Sequence, residues 1–137
     1  MTEEAAAQIQ QLESRISSIT NAYNSKIEKL KAEKQKCTNL IAKCNSAKSH
    51  LSTASSSLSS AEGLIIEGYR GFRLFGYKSQ INSDKGNINS AISTLSKSIS
   101  EATTLQKKIE KEMTDAKTKY QSEVRQLRNY INQLRYE

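Results

Sequence analysis

The sequence predicts an all-α protein, a long antiparallel two-helix hairpin of coiled-coil-like character. Three observations predict it. The 137 residues contain no proline, and helix formers dominate both halves. Apolar residues recur at alternating steps of three and four through most of each half. Four of the five glycines and half of the aromatics crowd into the stretch between those halves.

The first series steps from Ile9 through Leu12, Ile16, Ile19, Tyr23, Lys26, Leu30, Glu33, Cys37, Leu40, Cys44, Ala47, Leu51, Ala54, Leu58 and Ala61 to Ile65. Only Lys26 and Glu33 interrupt it. A stripe that long is a seam for another helix. Thr2 can cap its start, with Glu3 and Glu4 beside the positive helix end. Gly63 is the first residue able to stop it. The reading places helix 1 at about 3–62.

The second series runs from Ile88 through Ile92, Leu95, Ile99, Ala102, Gln106, Ile109, Met113, Ala116, Tyr120, Glu123, Leu127 and Tyr130 to Leu134. Asn82, Ser83 and Asp84 offer N-caps before it. Helix 2 is placed at about 84–135, within a single domain spanning 1–137. Ile27, Ile41, Leu105, Val124 and Ile131 flank the two seams and need cover. Two helices enclose no thick core, so a partner or a second copy completing a four-helix bundle is favoured.

Between the series lies an aromatic and glycine-rich turn at 63–83, holding Gly63, Gly68, Gly71 and Gly76 with Tyr69, Phe72, Phe75 and Tyr77. A tight polar turn needs none of these aromatics. They either plug the end of the hairpin or form a docking tip. Tyr69, Gly71, Phe72 and Phe75 are the candidate partner-binding residues. A turn centred near residue 74 sets Lys26 opposite Glu123, and the two are expected to pair as a polar register mark near a frayed open end.

Composition shifts along each helix. Residues 46–60 hold eight of the 20 serines and a single charged residue, Lys48. Residues 86–104 are similar, with Lys97 and Glu101 the only charges. Serine weakens a helix, so these charge-poor halves suit a surface that another chain covers. The remaining halves are densely charged with both signs. The net charge of +7 favours anionic partners.

Several function classes are excluded. No run reaches the roughly 20 apolar residues of a membrane span. The first residues are acidic and polar, unlike a secretory signal peptide, so any export is expected by a signal-peptide-independent route, while reduced cysteines fit a cytoplasmic location. Cys37 and Cys44, seven apart on one helix, are about 10.5 Å from each other and cannot bridge within it. They read as buried, reduced thiols. His50 stands alone, without a nucleophile, acid or metal-ligand cluster at matched spacing. GYRGFRLFGY follows no strand, so its glycines make no phosphate loop. No enzyme activity, cofactor or metal is expected.

The aromatic-x-Gly turn between two matched helices resembles the WXG100-like proteins of type VII secretion, with Tyr69-Arg70-Gly71 in the Trp-x-Gly place. The whole chain is similar to the YwqH-like small helical proteins encoded beside LXG-domain toxins. The Ser/Ala-rich end of helix 1, the central turn and the INSAISTLSKSISEA start of helix 2 carry that likeness. The resemblance implies a non-enzymatic chaperone that binds the toxin's helical N-terminal domain, alone or with a second small helical protein, for delivery to the secretion machine. The family's C-terminal Tyr-x-x-x-Asp/Glu export pattern is absent: Tyr120 precedes Glu123 by three, and Leu134 follows Tyr130 by four. An export signal would then come from another subunit. Two other readings stay open, a basic coiled-coil arm on nucleic acid and a homo-oligomeric structural coiled coil.

Overall fold

The computed structural model describes the backbone of residues 1–68 and 72–136 and the side chains of residues 1–63 and 76–136. Two helices make the fold: α1, Glu3–Gly68, and α2, Phe72–Tyr136, of 66 and 65 residues. They pack as a hairpin. Thr2 caps α1 as its position suggests, its Oγ1 accepting from the Ala5 amide at 3.0 Å.

Both helices run further into the middle of the chain than expected. Gly63 lies inside α1, and Gly76, Asn82, Ser83 and Asp84 lie inside α2. The proposed turn at 63–83 is therefore corrected. Among the described residues no glycine has a positive φ. A helical glycine costs about 1 kcal/mol relative to alanine, and a continuous ladder with no proline outlasts that cost. Asp84 caps nothing. Its Oδ1 accepts from Gln80 Nε2, one turn back, at 2.9 Å.

The helices fall into two compact units. The first comprises Met1–Lys36 and Leu105–Glu137 and holds the chain's two ends. Here Glu13 meets Arg135, Thr20 meets Tyr120 and Lys34 meets Glu110, which makes the helices antiparallel. Ile9, Ile131 and Leu134 form a buried cluster, with Leu12 and Ile16 packed on it. That end of the hairpin thus carries its own small core.

The second unit spans Cys37–Thr104. Among its described residues, Cys37, Cys44, Ile81 and Ala102 are buried. Both cysteines are free thiols on the α1 stripe. Glu62 and Lys85 join the two helices at 3.3 Å, both largely covered. The serines and threonines mostly face outward. Thr53 and Thr94 return their hydroxyls to the carbonyls four residues back, which satisfies them without a partner helix.

The phase of the α1 stripe differs from a strict heptad in the middle of the helix. The covered positions there are Tyr23, Ile27, Leu30, Lys34, Cys37, Ile41 and Cys44, while Lys26, Glu33 and Leu40 are exposed. The second position of each repeat follows the first by four residues instead of three. A 3.6-residue period does not hold a 3.5-residue repeat, and the face drifts until the next residue is the covered one. On α2 the same drift exposes Tyr130 and buries Ile131. Ile27, Ile41, Val124 and Ile131 are therefore seam residues and need no outside cover, whereas Leu105 stays about half exposed.

Candidate interaction surface

The sites expected from the sequence fall in two places. Tyr69 and Gly71 lie outside the described residues. Phe72 and Phe75 occupy the first turn of α2, and their side chains also lie outside the description. Nearby Tyr77 is exposed.

Lys26 and Glu123 line one hollow in the first unit, together with Tyr23 and Tyr120, but they do not pair. The Glu123 carboxylate lies 4.0 Å from Lys119, its neighbour one turn back on α2. Lys26 is exposed. The expected polar crossing is therefore corrected: helix drift turns Lys26 out of the seam, and the Glu123 carboxylate lies nearest a lysine of its own helix.

What crosses the seam at this level is an aromatic pair. The rings of Tyr23 and Tyr120 stack with centroids 4.3 Å apart and planes within 2° of parallel. Thr20 Oγ1 donates to the Ile16 carbonyl at 2.8 Å and contacts Tyr120 Oη at 3.0 Å. A threonine hydroxyl has one proton, so Tyr120 is the donor in the second bond. The polar tip of a half-buried ring is thereby satisfied inside the seam. Tyr23 and Tyr120 both stand in the apolar series. Their meeting was illegible because it depends on the local rotation and register of the two helices.

Among the described residues, ion pairs join α1 to α2 at several levels. Lys34–Glu110 at 2.9 Å and Glu13–Arg135 at 3.5 Å are well exposed, and Glu62–Lys85 is the most sheltered. Exposed pairs of this kind contribute about 0–1 kcal/mol each. They align the helices more than they stabilise them.

Two shallow hollows open on the other side of the first unit. One, of about 390 Å³, lies between the helices, with Ile16 and Ile131 beneath and Glu13, Arg128 and Arg135 at its rim. The second, of about 530 Å³, runs along α2 past Arg125, Arg128 and Asn132. Arg128 borders both. Sequence reading passed over these arginines, although Gln121, Arg125, Arg128, Asn132 and Arg135 recur at the four-three spacing of one helix face.

Among the described residues, no group of three or more His, Cys, Asp or Glu could hold a metal ion, and no helix is long and apolar enough to cross a membrane. No family model matches the chain, and comparison with curated proteins and with solved structures gives no match.

Proposed function

We propose that this chain is a non-enzymatic helical partner protein, a targeting chaperone for the helical N-terminal domain of an LXG-type toxin in type VII secretion. One observation carries the partner reading. The chain exposes 10352 Å² of accessible surface. A globular monomer of 15.3 kDa exposes roughly 7100 Å². The excess of about 3200 Å² is larger than the roughly 800 Å² that each partner contributes to an ordinary stable interface. Among the described residues no side chain is fully buried. The seam holds two helices together and leaves their other sides open to further helices.

The mechanism is side-by-side helix packing. Toxin helices lie along α1 and α2, with the small and weakly charged residues of 46–60 and 86–104 permitting close approach. Tyr69, Gly71, Phe72 and Phe75 are the residues assigned to partner contact in the middle of the chain. The choice of an LXG-type partner rests on the resemblance of the turn and of the helix that follows it. On this reading loading takes place in the cytoplasm, and the export signal belongs to the partner or to a second small helical protein.

Co-expression with the N-terminal helical domain of an LXG-type toxin tests the reading. A stable complex on size exclusion, melting higher than either component, is expected. Separate elution, together with steeply salt-dependent binding of RNA by this chain alone, would favour the nucleic-acid arm instead.

A further inference from the structure

We infer that the face of α2 bearing Arg125 and Arg128, with the adjoining interhelical hollow, is a docking groove for an acidic amphipathic helix. The inference deepens the proposed function by assigning a surface and a chemistry to the partner. It also holds for an acidic helix of any origin.

The charge pattern is the first argument. From residue 111 to 136 the acidic residues are Glu112, Asp115 and Glu123. Each lies roughly 140° or more around the helix from Arg128. The arginine face is left with amides and cations. Neither Arg125 nor Arg128 makes a hydrogen bond or ion pair with a described residue. Arg135, at the end of the same face, does have a partner. The Glu13 carboxylate lies 3.5 Å from its guanidinium. The molecule thus already seats one carboxylate of its own on this face, beside two guanidinium groups that have none. Arginine presents a planar fork suited to carboxylates, and amides such as Asn132 add further polar contacts.

The floor of the groove selects between kinds of partner. Ile16 and Ile131 underlie the 390 Å³ hollow, and Val124 underlies its neighbour. An aliphatic side chain on a third helix can enter between two packed helices as a ridge enters a groove. Its flanking Glu or Asp residues then reach Arg125 and Arg128. A nucleic acid gains nothing from an aliphatic floor, and the Glu13 carboxylate at the rim repels phosphates.

The probe is a designed peptide helix of about 21 residues, three heptads, with Leu along one stripe and Glu on its flanks. Titration against the intact chain is expected to show binding that weakens as salt rises. The double substitution Arg125→Gln with Arg128→Gln is expected to lower affinity about tenfold with melting unchanged. Lys108→Gln with Lys119→Gln removes the same charge from the opposite side of α2, and is expected to leave affinity within about twofold. Equal losses in the two double variants would overturn the inference, because only net charge would then matter. It would likewise be overturned by a short DNA duplex binding more tightly than the peptide through the same arginines. The toxin domain separates this inference from the proposed function. If it binds the arginine variant as well as wild type, the groove fails and the proposed function stands. If the peptide binds through the arginines and the toxin domain does not bind at all, the reverse holds.

Discussion

Tyr23 and Tyr120 lie face to face across the seam, 4.3 Å between ring centres, and the Tyr120 hydroxyl is tied to Thr20 on the opposite helix. The pair fixes two things together, the relative rotation of the helices and their register. Ring stacking adds about 0.5–1.5 kcal/mol beyond the area it buries. The expected ranking follows. Tyr120→Phe keeps the stack and loses the hydrogen bond, for about 1 kcal/mol. Tyr120→Ala loses both, for about 3 kcal/mol. Urea unfolding of the two variants measures the difference, and equal costs would remove the stack from the account.

Glycines at 63, 76 and 86 offer a second test. Each lies in a helix, and a Cβ built on any of them meets nothing within 4 Å. Alanine at each position is therefore expected to stabilise the protein by about 0.5–1 kcal/mol. Thermal unfolding of Gly63→Ala is the sharpest case. A lower melting temperature would mean that this glycine serves a turn and that α1 stops before it.

The phase of the α1 stripe is checked by neighbouring residues. Ile27→Ala is expected to cost about 2 kcal/mol, and Lys26→Ala less than about 0.5 kcal/mol. At the open end, Ile131→Ala is expected to cost about 3 kcal/mol, because Ile131 sits in the buried cluster with Ile9 and Leu134. Tyr130→Ala, one position along and half exposed, is expected to cost far less. Reversed rankings would restore the strict heptad.

These tests mark what the sequence could and could not tell. Helix, hairpin and seam were legible because apolar spacing records which face is covered, and Thr2 was legible because a cap is a local event. The helix ends near the middle were not. Glycine signals a stop, yet Gly63 and Gly76 are tolerated inside helices whose other residues favour continuation. The pairing of Lys26 with Glu123 failed for another reason: the covered face had drifted from Lys26 to Ile27. The arginine face went unread because its ranks of like charge appear only when α2 is viewed around its axis.

Cys37 and Cys44 are buried on the α1 stripe. Both are expected to react with iodoacetamide at least about tenfold more slowly in the native protein than in urea. Native labelling as fast as in urea would place them on an open surface and shift the stripe of the second unit.

On the proposed function, the open sides of α1 and α2 are covered by partner helices. Amide hydrogen exchange, run on the chain alone and again with the N-terminal helical domain of an LXG-type toxin, is the decisive measurement. Slowed exchange is expected in the serine-rich segments 46–60 and 86–104 and around Arg125 and Arg128 when the toxin domain is present. Exchange unchanged in all of these segments, at concentrations where the two proteins have been mixed to saturation, would contradict the proposed function.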